Sequence, residues 1–123
     1  MTLDPAAGVL TMRMPLRPEF ERSAGHTGRW HGGVISALAD TVGDFALIML
    51  HDAPPPTINI RVDYLRPIAG SSVTATATVR KTGRSISFVD IDITTRDGTL
   101  VAIARANYAT SALQPRQEKE AGS

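Results

Sequence analysis

The fold is decided by one apolar segment, which begins with the residues His31-Gly32-Gly33-Val34-Ile35-Ser36-Ala37-Leu38-Ala39-Asp40 and continues to Leu50. Its large apolar residues recur at helical spacing, and alanine, leucine and isoleucine fill most of the opposite side. The pattern predicts a helix from Gly33 to about Leu50 that is apolar nearly all round, so other structure has to wrap it. The three prolines from Pro54 to Pro56 cannot continue the helix.

Beyond the prolines the apolar period changes from that of a helix to that of a strand. Four runs alternate apolar and polar residues, over 58–64, 73–80, 89–94 and 100–108. This alternation and the many β-branched residues are typical of strands. Turn residues separate the runs at 67–70, at Thr82-Gly83 and at Asp97-Gly98, the last of which is a hairpin signal. A shorter run, Val9–Met14, predicts one strand before the helix.

The predicted order is therefore one short strand, one buried helix and four long antiparallel strands. A single sheet has to cover one apolar helix, which is an α+β architecture with segregated elements. A length of 123 residues suits one domain, which we place at 1–113. The polar tail over 114–123 lacks large apolar groups, so we expect it to be disordered.

Composition excludes several classes of function. The formal net charge of +1 offers no footprint for nucleic acid or for an anionic membrane. The absence of cysteine excludes disulfides, thiolate metal sites and a cysteine nucleophile. The first ten residues do not resemble a signal peptide, and no apolar run is long enough to span a bilayer, so we expect a cytoplasmic protein. His26, His31 and His51 lack the spacing of metal ligands, and no metal is expected.

The stretch from His31 to Asp40 resembles the HGG-x(6)-D signature of PaaI-like thioesterases of the hotdog fold. Further similarities follow in order: Tyr64-Leu65-Arg66-Pro67 with Gly70, Gly83-Arg84-Ser85, and the residues Asp97 to Ala102. The resemblance extends over residues 9–108. It implies a curled antiparallel sheet around one long central helix, and hydrolysis of an acyl-CoA substrate without a cofactor.

The resemblance also implies which residues carry the reaction. Thioester hydrolysis needs a carboxylate and donors that hold the oxyanion. Asp40 matches the family's carboxylate, as general base or as nucleophile, and Thr57 matches a hydroxyl that holds the attacking water. Gly32 and Gly33 enter the helix without a side-chain cap, which would leave backbone N–H groups free at its positive end. The Gly32 N–H matches the family's oxyanion donor.

Helix geometry adds a constraint on the assembly. Asp40 follows Gly32 by eight residues, so the two lie about 12 Å apart along one helix. They cannot both contact one carbonyl, and the donor and the carboxylate of a site have to come from different subunits. The sequence therefore predicts at least a homodimer, and the family resemblance implies a tetramer of two dimers.

Three further residues are candidates for the same site. Ser36 and Asp44 lie four residues to either side of Asp40, so the three form a narrow polar stripe on the helix. Asp44 either contacts the substrate or meets solvent near the helix end. His31 invites a role as base, but the family resemblance favours one in shaping the turn and the binding site.

The remaining candidate residues bind other parts of the substrate. Many relatives have an asparagine where this chain has Gly25, so His26 either supplies that second oxyanion contact or the contact is missing. Arg66 and Arg84 lie at turns and are candidates for the phosphates of coenzyme A.

Two other functions stay open on the sequence alone. One is a non-catalytic acyl-CoA-binding protein that kept the fold, which the departure at Gly25 allows and Asp40 and Thr57 oppose. The other is a hotdog enoyl-CoA hydratase or dehydratase, although the histidine motif of those enzymes is not recognisable here.

Overall fold

A computed structural model of the chain describes residues 1–21, 29–51 and 53–112. Within these residues, six strands form one antiparallel sheet with the spatial order β1-β2-β4-β5-β6-β3, and one long helix lies against it. The elements are β1 Thr2–Asp4, β2 Val9–Pro15, α1 Gly32–Ile48, β3 Thr57–Tyr64, β4 Ser72–Lys81, β5 Ile86–Thr95 and β6 Leu100–Ala109. Short 3₁₀ turns lie at Pro18–Phe20 and Thr110–Ala112. The predicted α+β class is confirmed.

Helix α1 packs across the middle of the sheet, mainly against β4 and β5. Its buried side chains include Ile35, Leu38, Ala39, Val42, Ala46 and Leu47. A second row at four-residue spacing is exposed, and it consists of Gly33, Ala37, Thr41 and Phe45. Within one protomer the sheet covers one side of the helix, and this row lies on the other side. No helix among the described residues is long and apolar enough to cross a membrane.

The N-terminal part differs from the single predicted strand. Residues Thr2–Asp4 form an additional strand that pairs with the start of β2, with Asp4 opposite Val9. Gly8 has a φ of 68° in the turn between them, a conformation that glycine adopts at little cost. Three residues beside a proline are too few to show an alternating pattern, which is why the sequence does not reveal β1.

Strand β3 lies at one end of the sheet and pairs through one edge with β6. Its other edge has no partner among the described strands. The exposed fractions of Ile58 and Tyr64 on this strand are 52% and 48%. An open edge with apolar side chains is a surface that another strand can pair with.

Candidate active site

Asp40 lies in the middle of α1, and its carboxylate faces the start of β3 and the end of β6. The hydroxyl of Thr57 donates a hydrogen bond to Asp40 Oδ1 at 2.8 Å. The hydroxyl of Tyr108 lies 3.2 Å from the same oxygen and 3.0 Å from the backbone carbonyl oxygen of Asp40. Among the residues that the structure describes, Asp40 Oδ2 accepts no hydrogen bond. Both donors therefore hold one carboxylate oxygen and leave the other available to a ligand.

A β-bulge turns Thr57 toward the helix. Asn59 lies opposite Asn107 of β6, whereas Thr57 lies opposite the next residue, Tyr108. Strand β3 therefore has one additional residue, Ile58, at this point. Residues directly opposite each other in an antiparallel pair project to the same face of the sheet, and a bulge shifts the alternation by one residue. Thr57 therefore projects with Tyr108 toward Asp40. Ile58, for which strict alternation predicts the helix-facing side, is exposed instead.

Tyr108 belongs to this cluster although it lies outside the sequence motifs that identify Asp40 and Gly32. Its side chain is fully buried. Burial is the largest cause that raises its pKa above the usual range, and the charge of Asp40 and the hydrogen bond to it add to the rise. The phenol therefore stays protonated and acts as a donor. A signal does exist in the sequence, because Tyr108 ends the helix-facing row of small residues Ala102, Ala104 and Ala106.

The residues of the polar stripe on α1 differ in their contacts. At one end, Ser36 Oγ lies 2.6 Å from the hydroxyl of Tyr64. At the other end, Asp44 is half-buried, and its Oδ1 has no hydrogen-bond partner in the described part of the chain. Burial, and secondly the charge of Asp40, raises the pKa of Asp44 to about 6. Asp44 thus lies close enough to Asp40 to interact electrostatically with it.

The helix starts with a side-chain cap, so the prediction of an uncapped start is wrong. His31 occupies the N-cap position, and its Nδ1 accepts a hydrogen bond from the N–H of Gly33 at 2.9 Å. This contact satisfies one of the free donors at the helix start. The N–H of Gly32 makes no hydrogen bond to the described residues. It remains as a donor at the positive end of the helix.

Tyr64 packs against Gly32 from the end of β3. Its hydroxyl donates to the carbonyl oxygen of Gly32 at 2.5 Å. A Cβ atom at Gly32 would lie 3.3 Å from both the hydroxyl and the ring of Tyr64. The first glycine of the pair therefore allows this close approach, in addition to presenting its N–H.

Two grooves flank the start of α1. A groove of about 470 Å³ is lined by Gly32 and Tyr64 and by two arginines, Arg29 and Arg66. A second groove of about 520 Å³ is mostly apolar, and its lining includes Met12, Met14, Phe20, Val34, Ala37 and Leu38. One side of the helix start is therefore cationic and the other side apolar. Arg66 is one of the substrate ligands that the sequence predicts, and Arg29 is an additional arginine in the same groove.

Arg66 and Arg84 lie at opposite ends of the sheet. Leu65, beside Arg66, donates its N–H to Val101 near the start of β6, and Ser85, beside Arg84, accepts from Thr110 just after the end of β6. A ten-residue strand separates these contacts, a span of roughly 30 Å. One protomer therefore does not bring the two predicted phosphate ligands together. His26 and Gly25 lie outside the described residues.

Residues 27–102 match the family model described as the thioesterase superfamily. The matched range includes Gly32, Asp40 and Thr57, and it ends before Tyr108. Human acyl-coenzyme A thioesterase 13 is 31% identical over 81 residues, which cover 63% of this chain and 58% of that protein. A Haemophilus influenzae relative is 36% identical over 90 residues, or 72% of this chain and 65% of its own length. The chain thus spans less than two thirds of the length of these curated relatives.

Solved structures have a similar fold. A thioesterase from Haemophilus influenzae superposes with a TM-score of 0.74 and 31% identity, over 82% of this chain and 70% of that one. The E. coli PaaI protein from the phenylacetic acid degradation operon superposes with a TM-score of 0.73 and 28% identity, over 83% of this chain and 72% of that one.

Proposed function

Because the chain belongs to the thioesterase superfamily, we propose that it hydrolyses the thioester of an acyl-CoA, with Asp40 as the carboxylate that drives the reaction. Membership in this family confirms the resemblance seen in the sequence. The similar solved structures confirm the hotdog fold.

The observation that carries this proposal is the way in which Asp40 is held. Thr57 and Tyr108 both bond to Oδ1, so the carboxylate has a defined orientation and Oδ2 can act on a substrate. As a general base, Oδ2 takes a proton from a water molecule whose oxygen attacks the thioester carbonyl. The tetrahedral intermediate then expels the thiolate of coenzyme A and becomes the free carboxylic acid. The thiolate takes up the proton from Asp40, which regenerates the carboxylate.

Attack by Asp40 itself is the second route that the same geometry supports. Oδ2 would then form a mixed anhydride with the acyl group and release the thiolate, and water would hydrolyse the anhydride to regenerate the carboxylate. Thr57 assists either route, since its hydroxyl contacts Asp40 and lies at the exposed start of β3.

The oxyanion donor in this proposal is the Gly32 N–H of a second subunit. Within one helix Gly32 and Asp40 are about 12 Å apart, so one protomer cannot supply both groups to one carbonyl. The open edge of β3 and the exposed row on α1 support a two-fold contact that brings one subunit's Asp40 to the other's Gly32. A dimer is the smallest assembly that completes the site, and a tetramer of two dimers stays a prediction.

The cationic groove beside Gly32 is the proposed place for the phosphates of coenzyme A. Arg66 contributes one guanidinium group there and Arg29 a second, and arginine binds phosphate oxygens in a bidentate way. Arg84, at the other end of the sheet, can take part only if it comes from another subunit.

The test compares thiol release from short, medium and aromatic acyl-CoAs by the wild type and by Asp40→Asn. The matched control is Asp92→Asn, which removes an exposed carboxylate on β5. We expect kcat to fall by about 100-fold or more in Asp40→Asn, with an unchanged oligomer by size-exclusion chromatography, and to stay at the wild-type level in the control. Full activity of Asp40→Asn would contradict the assignment. A wild type that binds the panel without turnover would point to an acyl-CoA-binding protein.

A further inference from the structure

We propose that Tyr108 is a positioning residue that holds the Asp40 carboxylate in one orientation. The inference goes beyond the proposed function and depends on it, because it takes Asp40 to be the reacting group. Tyr108 lies outside the residues that match the family model, which end at residue 102.

The hydrogen bonds of Tyr108 act together with that of Thr57 in leaving Oδ2 of Asp40 free. Its hydroxyl is 3.2 Å from Oδ1 and 3.0 Å from the backbone carbonyl oxygen of the same residue. Because the Tyr108 hydroxyl contacts both the backbone carbonyl oxygen and Oδ1, it holds Oδ1 close to the backbone of the helix. Rotation about the side-chain bonds of Asp40 would break the bond to Oδ1, so the bond favours the orientation in which Oδ2 is free.

Tyr108 is better suited to this role than Thr57, because its own position is fixed by packing. Its ring is fully buried, whereas Thr57 is exposed at the start of an edge strand. Gly43, one turn from Asp40 on α1, leaves the space that the hydroxyl fills. The donor therefore cannot shift without repacking of the helix against the sheet.

Burial also separates Tyr108 from the substrate. A side chain without exposed surface does not contact a ligand in the groove, so it acts through Asp40 alone. Loss of its hydroxyl should lower kcat, which depends on the orientation of Asp40, and leave KM nearly unchanged.

The test is a double-mutant cycle between Tyr108→Phe and Asp40→Asn. Tyr108→Phe keeps the ring and removes the donor, and we expect kcat to fall by about tenfold, the effect of one hydrogen bond to a charged group, with KM within about twofold. In the Asp40→Asn background the same change should have no further effect on the residual rate. Ser87→Ala removes another buried hydroxyl, on β5, and should leave kcat unchanged.

Equal losses from Tyr108→Phe in both backgrounds would indicate a merely structural role and overturn the inference, as would an unchanged kcat. Failure of the proposed function has a different signature, since Asp40→Asn alone would then keep its activity. Melting curves establish that each variant is folded at the assay temperature. If Tyr108→Phe does not fold, Gly43→Ala displaces the same hydroxyl and is measured in the same cycle.

Discussion

The hydroxyl of Tyr108 lies so close to Gly43 that a Cβ atom there would clash with it. Any larger residue at position 43 must therefore move the tyrosine or push α1 away from the sheet. Ile91 on β5 adds to the crowding, because its Cδ1 atom would lie 3.3 Å from the same Cβ. The glycine thus allows the helix to approach β5 and β6 closely, and the tyrosine uses the space to reach Asp40.

The first prediction concerns stability at this contact. Gly43→Ala should lower the free energy of unfolding by about 1 to 3 kcal/mol, because overpacking outweighs the better helix propensity of alanine. The double variant Gly43→Ala/Tyr108→Phe should recover much of this loss, since removal of the hydroxyl oxygen relieves the closest contact. Urea unfolding of the wild type, both single variants and the double variant measures the coupling. Strictly additive effects would contradict the contact.

The second prediction concerns Thr57. Thr57→Val keeps the shape of the side chain and removes the donor to Asp40, so kcat should fall by about tenfold. Thr57→Ser keeps the hydroxyl and is the matched control, with a kcat within about threefold of the wild type. Both are measured by thiol release at saturating substrate. A valine variant as active as the serine variant would show that the hydroxyl of Thr57 does not matter.

The third prediction concerns Asp44 and pH. The pKa of Asp44 is raised from 3.8 to about 6 in the folded protein. Between these two values the folded state holds a proton that the unfolded state has lost, so the free energy of unfolding falls as pH rises through this window. The destabilisation is complete above about pH 6 and absent below about pH 4.

Asp44→Asn removes this titration. The variant should be more stable than the wild type at about pH 7.5 by on the order of 1 to 2 kcal/mol. This gain is smaller than the full pKa shift implies, because Asp44 is only half-buried and solvent screens its charge. Near pH 4 the two proteins should be equally stable. Urea unfolding at both pH values tests this, with the exposed Asp92→Asn as control. A gain in stability of the same size at both pH values would contradict the titration of Asp44.

The sequence predicts most of the fold because its signals are local. The helix in α1 and the four long strands follow from periods of 3.6 and 2 within each segment, and the observed ends differ from the predicted ones by three residues or fewer. Asp40 and Gly32 follow from a motif whose members lie within one helix. The additional strand β1 is too short to carry such a period.

The surroundings of Asp40 were harder to predict because they depend on contacts between distant segments. Thr57 faces the helix only because Ile58 is bulged, and strict alternation gives the opposite orientation. Tyr108 reaches Asp40 because two strands and a helix meet at Gly43. The cap from His31 depends on a side-chain rotamer, and histidine is not among the preferred cap residues.

The fourth prediction concerns the Gly32 N–H. Gly32→Pro removes this donor at the first helical position, which tolerates proline, and the extended backbone of His31, with φ −70° and ψ 133°, suits a residue before proline. Gly32→Ala is the matched control, because it adds the same Cβ beside Tyr64 and keeps the N–H. We expect kcat to fall by about 100-fold in the proline variant and much less in the alanine variant. Equal losses in both would point to crowding of Tyr64.

The fifth prediction tests whether each site uses two subunits. A dimer of one Gly32→Pro and one Asp40→Asn subunit contains one site with both an intact N–H and an intact carboxylate, and one site that lacks both. Co-expression with two different affinity tags isolates this mixed dimer, which should recover about half of the wild-type activity from two inactive parents. If the Gly32 and Asp40 of one site came from the same chain, every site in the mixed dimer would lack one group. Activity no higher than that of the parents would therefore refute the shared site, provided that both parents are folded and dimeric.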